Sequence, residues 1–412
     1  MIFDSMLTTV ENKPRMAVVS PFIDKQHGTE RCVAEQVERL AKHYEVHVYS
    51  NRVEDVDLRS ITWHRIPALP GPHLIAYCWW FIANHLWRWW DRRVRGREYD
   101  LLYSPGINCA DADVISVHIV FSEFCRQMQD ELKFRSNPVK AWPRLMHRRL
   151  YYGLIKMLER RIYTREDQPL VIVSRKVAAD LDRSYGQMQH LTPVYHGWDA
   201  GRFGPGARAR LRSEARQALK LGENDFALLL IGNDWKNKGF GCLIRAVGRL
   251  QNPVLRVLAV GSDLAASYPK SAADEMQDRV RFLPPRRDIE FYYAAADAYV
   301  GPSLKDAFGM PPLEAMACGL PVIVSSQAGV SELITNGVDG LVLEDPRDSE
   351  DLASKIADIY GDTALRQRLS ENAVKTAGQY TWDNNAEQLR AVMEEILRAR
   401  RGVEHCPTPA SC

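Results

Sequence analysis

The 412-residue chain has no CxxC pair, no regular cysteine spacing and almost no net charge. Its eight cysteines, Cys32, Cys78, Cys109, Cys125, Cys242, Cys318, Cys406 and Cys412, read as reduced thiols of a cytoplasmic protein, several of them buried. They fit neither a disulfide frame nor a zinc site. A formal charge of +2 excludes bulk attraction to nucleic acid. The opening MIFDSMLTTVENKPR carries acidic residues and no basic stretch before an apolar core, so no secretory signal is expected. The longest apolar run, Leu74–Trp87, is interrupted by Asn84 and His85 and is too short to span a bilayer. GxxxxGK[ST] and GxGxxG are both missing, which argues against a Walker loop and against a nicotinamide site.

What is present is the pattern of a soluble α/β protein: 46% hydrophobic and 26% charged residues over a length that suggests two domains. Strand-like runs at Met16–Pro21, Glu45–Ser50, Asp100–Ser104, Asp113–His118 and Leu170–Ser174 alternate with helical stretches, beginning with Glu30–His43. The pattern restarts after a Gly- and Pro-rich linker, HGWDAGRFGPGARA. Strands then follow at Phe226–Ile231, Leu255–Val260, Val280–Leu283, Ala298–Val300, Pro321–Val324 and Gly340–Leu343, with helices at Gly241–Leu250, Ile289–Ala296 and Pro312–Ala317. Such alternation predicts two doubly wound parallel sheets, residues 16–197 and 198–380, with ligands at the carboxyl ends of the strands. A last helix, Asn384–Arg401, is expected to pack back on the first domain, and 402–412 is expected to be a disordered tail.

The segment DAFGMPPLEAMACGLPV, Asp306–Val322, carries the most chemistry. Asp306 and Glu314 flank a Phe-Gly turn and a Pro-initiated helix, whose N-terminus suits a phosphate. Two carboxylates beside an anion cradle fit a nucleotide-sugar, a diphosphate with polyols at both ends. An apolar helix capped by Gly319 and followed by a strand is the alternative reading. The loop IGNDWKNKG, Ile231–Gly239, follows a strand, and Lys236 and Lys238 could neutralise a diphosphate there; solvated surface lysines are the alternative.

Together these landmarks resemble the retaining GT-B glycosyltransferases of the family-four type (glycosyl transferases group 1). The likeness is strong over 226–345 and weaker over 16–203. Its carriers, in order, are Lys238–Gly239, AAADAYVGPS at Ala294–Ser303, the acidic pair around Phe308–Gly309, and AGVSELITNGVDGLVLE at Ala328–Glu344. The resemblance implies GT-B architecture, two Rossmann-like doubly wound domains facing across a cleft. It implies that Lys238 holds the donor diphosphate and that Glu314 binds the ribose. Asp306, where the family has glutamate, would face the donor sugar. Phe308, Gly309 and Met310 match the turn whose N–H groups meet sugar and phosphate, and Leu283 and Pro284 lie where main chain reads the base. The family's arginine is missing, with Asn233 and Asn237 in its usual places, so Lys236 is left to supply charge. In the first domain His27–Gly28 resembles a Gly-Gly loop, with Gly28 close to the phosphate. His118 matches a catalytic-centre histidine, a packed core residue being the alternative, and Ser174 matches a serine near the cleft.

The implied reaction is transfer of a hexose from a nucleotide-diphosphate sugar with retention, by a front-face route, with no metal and no other cofactor. The formal DxD at Asp111–Asp113 reads as a cap. On the acceptor side, Arg126–Arg165 holds 11 Lys/Arg against 3 Asp/Glu, and Leu150, Leu154, Leu158 and Ile162 form a stripe. WWFIANHLWRWWDRRVRGR, Trp79–Arg97, adds clustered tryptophans and five arginines. Either these helices lie on an anionic membrane surface at the inner face of the cytoplasmic membrane, or their stripes pack on the domain's own sheet. A glycan or lipid-linked acceptor in cell-envelope assembly is the leading expectation. A small soluble acceptor, or a non-catalytic sugar-nucleotide-binding subunit, is the alternative; no nucleic acid partner is expected.

Overall fold

The structure, a computed structural model, describes residues 13–128, 142–262 and 279–404. The tail expected at 402–412 therefore lies, beyond Glu404, outside the described residues, as does 129–141 of the basic segment. Contacts divide the chain into two compact units. One comprises Met1–Val117, Phe121–Val171 and Gln388–Cys412, the other His118–Val120 and Ile172–Glu387.

The first unit contains β1 (Arg15–Val19), β2 (Phe22–Ile23), α1 (Gly28–Leu40), β3 (Glu45–Ser50), β4 (Arg52–Val53), β5 (Thr62–Arg65) and α2 (His73–Arg95). It continues with β6 (Leu101–Pro105), β7 (Val114–Val117), α3 (Phe121–Gln127), α4 (Trp142–Tyr163) and β8 (Leu170–Ile172), in which the second unit begins. Its parallel strands run in the order β5-β3-β1-β6-β7. Runs such as MAVV in β1 and VISV in β7 are buried throughout, as strands covered on both faces require.

The long helix α2 inverts the usual pattern. Its buried residues include Asn84, Arg88 and Asp91. Asn84 donates to the carbonyls of Trp80 (2.8 Å) and Asn108 (3.0 Å), and Arg88 forks onto Asp111 at 2.7 and 2.8 Å. Asp91 accepts from Tyr49 at 2.6 Å and Arg95 at 2.8 Å. Asp113 in turn accepts from the Leu102 amide at 2.6 Å and from Arg400. Both carboxylates of the DxD thus have internal partners, although only Asp113 is taken up with a strand end. The expected stripe on α4 also splits. A spacing of four drifts about 40° per step on a helix of 3.6 residues per turn, so Leu150 is exposed while Ile162 is buried.

The second unit holds α5 (Arg175–Tyr185), β9 (Leu191–Pro193), α6 (Pro205–Ala218), β10 (Phe226–Ile231), α7 (Phe240–Leu250), β11 (Leu255–Val260) and β12 (Val280–Leu283). Then come α8 (Glu290–Ala295), β13 (Ala298–Gly301), α9 (Met310–Ala317), β14 (Val322–Ser325), a 3-10 turn (Gly329–Leu333), β15 (Leu341–Leu343), α10 (Ser349–Gly361) and α11 (Thr363–Ala377). The final helix α12 (Trp382–Glu404) starts in this unit and from Gln388 counts with the first. Its parallel sheet runs β12-β11-β10-β13-β14-β15, so the strand order reverses between β10 and β13. Loops that leave those two strands at their carboxyl ends flank the switch point of a doubly wound sheet.

Part of the expected linker is helical. Pro205 stands in the first turn of α6, where its fixed φ favours a helix and its missing N–H costs nothing. Arg208, Arg212 and Arg216, four apart on one face, donate to the last carbonyls of α8 and its neighbours. Arg212 and Arg216 also pair with Asp297 at 2.5 and 3.0 Å. Cations at a helix C-terminus complement its dipole, and the arginine periodicity outweighs the turn-forming residues around it. Asp348 and Asp362 cap α10 and α11 through their side chains.

Leu230 lies fully buried in the central strand β10. Leu230→Ala is expected to cost about 2–5 kcal/mol, whereas Leu86→Ala on the outer face of α2 should fall within about 0.5 kcal/mol. Urea unfolding midpoints check both.

Candidate functional site

The loop after β10 is built around Trp235, buried between Phe240 (5.7 Å between ring centroids) and Phe282 (5.0 Å). That anchor leaves Lys236 exposed and turns Lys238 back over Gly232, where a Cβ would lie 2.7 Å from the lysine's Cγ. Gly239 follows at φ +75°, and a Cβ there would lie 1.9 Å from the Pro302 carbonyl oxygen. Only glycine fits both the left-handed conformation and the contact. Lys238 Nζ then sits 2.5 Å from Asp306 Oδ2. Asn237, one of the positions where charge was missing, ties the two loops instead. Its amide group donates to the Lys305 carbonyl at 2.8 Å, and its carbonyl accepts from the Leu304 amide at 2.7 Å. Asn233 accepts from the Ser262 amide at 3.1 Å.

The loop after β13 brings Asp306, Phe308, Gly309 and Met310 to the same place. Gly309, at φ +92°, opens α9 with no side-chain cap, and a Cβ on it would stand 3.3 Å from Asp306 Oδ2. The first turn reads Met310-Pro311-Pro312-Leu313, and its two prolines carry no N–H. Helix-end donation to an anion therefore falls to the amides of Gly309 and Met310, and the charge of Lys238 gains weight accordingly. Phe308 lies beneath the turn. Its amide faces Asp306 Oδ1 at 3.4 Å and its ring is buried against His196, centroids 4.9 Å apart. It acts as an anchor under the turn. Glu314, also buried, accepts from Tyr293 at 2.7 Å, which fixes its orientation. Burial, with the Glu314 charge adding to it, raises the Tyr293 hydroxyl well above its ordinary pKa.

Leu283 ends β12, its carbonyl accepting from the Gly261 amide at 3.0 Å, and the Pro284 carbonyl accepts from Tyr292 at 2.7 Å. The Ser174 hydroxyl donates to the Ala307 carbonyl at 2.6 Å, joining the N-terminus of α5 to the same loop. Glu332 completes that joint: it accepts from the amides of Arg175 (2.8 Å) and Lys176 (2.9 Å) and from Tyr195 (3.0 Å). Burial and the Glu332 charge push Tyr195 up to about 12.

His118 is buried 3.3 Å from His196, whose ring also faces Trp382. His196 was not singled out from sequence, although, like His118, it follows closely on a strand. Gly28 lies in the first unit as the first residue of α1. Before it, buried Asp24 accepts from the amides of Gln26 (2.8 Å) and His27 (3.0 Å). Burial pushes Asp24 up, but those bonds outweigh it and the carboxyl lies below its usual range.

Residues 212–376 match the glycosyl transferases group 1 family. D-inositol 3-phosphate glycosyltransferase of Salinispora tropica is 32% identical over 254 residues, covering 57% of this chain and 52% of that protein. The chain spans about half the length of the curated relatives it matches. WaaG, a glycosyltransferase involved in lipopolysaccharide biosynthesis, superposes with a TM-score of 0.72 at 19% identity, over 92% of this chain and 99% of that one. Sucrose-phosphate synthase from Thermosynechococcus elongatus gives 0.71 at 20%, over 94% and 100%. At such identities the structural likeness speaks for the fold.

Burial holds His118 down to about 4. The unfolded chain therefore takes up a proton near pH 6.5 that the folded chain refuses until about pH 4. The resulting stability is present above pH 6.5 and lost as pH falls towards 4, on the order of 3 kcal/mol. His118→Gln should flatten the dependence of the urea midpoint on pH in that window.

Proposed function

We propose that this chain of GT-B fold, whose residues 212–376 match the glycosyl transferases group 1 family, moves a hexose from a nucleotide-diphosphate sugar to a glycan or lipid-linked acceptor of the cell envelope. The observation that carries this reading is the Lys238–Asp306 pair, 2.5 Å apart beside the uncapped start of α9. Departure of a nucleoside diphosphate builds negative charge. A lysine and the amides of Gly309 and Met310 are preorganised donors for it. Without the donor, Asp306 neutralises Lys238. Arrival of the diphosphate draws the ammonium onto phosphate oxygens and frees the carboxylate for the hydroxyls of the hexose. Glu314, oriented by Tyr293, serves the ribose, and the main chain at Leu283 serves the base. His118 lines the catalytic centre.

Retention follows a front-face route in which the leaving phosphate takes the acceptor's proton. The reaction runs without a metal; the carboxylates of Asp111 and Asp113 are engaged by Arg88 and by the Leu102 amide. Work takes place on the cytoplasmic side, at an anionic membrane. A small soluble acceptor is the second reading, favoured by the name of the curated relatives.

A thermal-shift panel of UDP-, GDP- and ADP-sugars should show one base class stabilising the protein. With that donor, Lys238→Ala is expected to lower turnover about 10²–10³-fold, and Asp306→Ala should lower it too. Equal donor turnover in wild type and both variants would reduce the protein to a binding subunit. Turnover should survive EDTA, and an α-linked donor should give an α-linked product by NMR.

A further inference from the structure

No helix among the described residues is long and apolar enough to cross a membrane, yet α2 turns its apolar side outward. Ile75, Ile82, Leu86 and Trp90 recur at steps of seven, four and four along one face, with Trp89 and Val94 beside them. Trp89 is 56% exposed and Trp90 53%. Its opposite face holds Asn84, Arg88 and Asp91 in the hydrogen-bonded interior described above. A helix that meets water carries the reverse pattern. Here the side chains suited to water are spent inside, and the outer face carries large apolar groups far beyond the scattered exposure of an ordinary surface.

Helix α4 packs beside α2, with the Leu74 amide donating to His147 Nε2 at 3.1 Å and the rings of Tyr77 and Tyr151 5.8 Å apart. It extends the surface with exposed Met146, Leu150 and Met157. Charge selects the occupant. Exposed Arg149, Lys156, Arg160 and Arg161 lie along α4, and Arg92 and Arg93 follow the tryptophans on α2. The one acidic residue of α4, Glu159, is buried and accepts from the amides of Phe121 (2.8 Å) and Ser122 (3.2 Å). A second copy of the chain would bring like charge against like. A bilayer with anionic headgroups offers acyl chains to the tryptophans and phosphates to the arginines at once.

We infer that the outer face of α2 and α4 inserts shallowly into an anionic bilayer, with Trp89 and Trp90 as anchors and the arginines on the headgroups. This deepens the lipid-linked acceptor reading and rests on it for its purpose, while the geometry belongs to the first unit alone.

The full chain is floated with vesicles of phosphatidylcholine, with and without one quarter phosphatidylglycerol. Wild type should float with the anionic vesicles and remain below with the neutral ones. Trp89→Ser with Trp90→Ser should lower the bound fraction at least tenfold at an unchanged urea midpoint. Brominated acyl chains should quench wild-type tryptophan fluorescence, a readout that needs no variant. Failure to float with anionic vesicles, equal flotation of the double variant, or absence of quenching would each overturn the inference. So would a solution dimer abolished by the double variant in a protein that ignores vesicles, which gives the face to a second copy. Sugar transfer without vesicle binding would refute the surface and spare the activity; vesicle binding without donor turnover would do the reverse.

Discussion

The second unit depends on how closely its backbone segments approach one another at the carboxyl edge of the sheet. A Cβ on Gly261 would lie 2.0 Å from the Gly232 carbonyl oxygen, one on Gly239 1.9 Å from that of Pro302, and one on Gly329 2.3 Å from that of Ala307. Three missing methyl groups let the loops after β10, β11, β13 and β14 close on each other. Main-chain ladders continue into the gap, with the Gly232 amide on Val260 and the Gly261 amide on Leu283. Lys238 and Asp306 meet because the backbones beneath them can. Overpacking such contacts costs on the order of 1–3 kcal/mol, so this constraint on sequence is independent of the chemistry above it.

On that platform four charged groups have counterweights inside the same unit. Lys238 has Asp306, Lys305 has Asp180 at 2.9 Å, Glu332 has the α5 amides, and Glu314 has a hydroxyl. A preorganised site of this kind pays its desolvation on folding, before any ligand arrives. It is also poised, since the attraction between Lys238 and Asp306 is available for exchange against a phosphate. Ser174 and Glu332 hold the loop to α5 by three hydrogen bonds, two of them to backbone amides that a helix start leaves open.

Much of this was legible in the sequence, for identifiable reasons. Short apolar runs such as FALLLI and VIV, rich in branched side chains and set between turn residues, read as strands buried on both faces, and their alternation with helices points to a parallel sheet. That Lys238 and Asp306 would come together beside the start of a helix bearing Glu314 followed from landmarks in order. Local patterns could not show that Phe308 anchors through its ring, because burial is decided by His196, more than a hundred residues earlier. Nor could they show that Asn237 acts as a tie between loops. At α6 the Gly and Pro residues spoke for a linker, and the arginines four apart spoke for a helix; the carbonyls they needed lay 80 residues downstream. On α2 a hydropathy count cannot distinguish an apolar face turned inward from one turned outward.

Helix α6 also bears on how this architecture is to be divided and recombined. The match to the family begins at residue 212, in the middle of that helix. A fragment begun there would lose Arg208 from the Ala296 carbonyl and the Pro-initiated first turn, while keeping Arg212 and Arg216 on a helix too short to hold them. The transplantable module starts instead at Gly204, whose φ of +143° sets the entry into the helix. Chimeras that exchange donor domains between relatives should be joined upstream of that glycine, so that every arginine of the clamp travels with the carbonyls it grips.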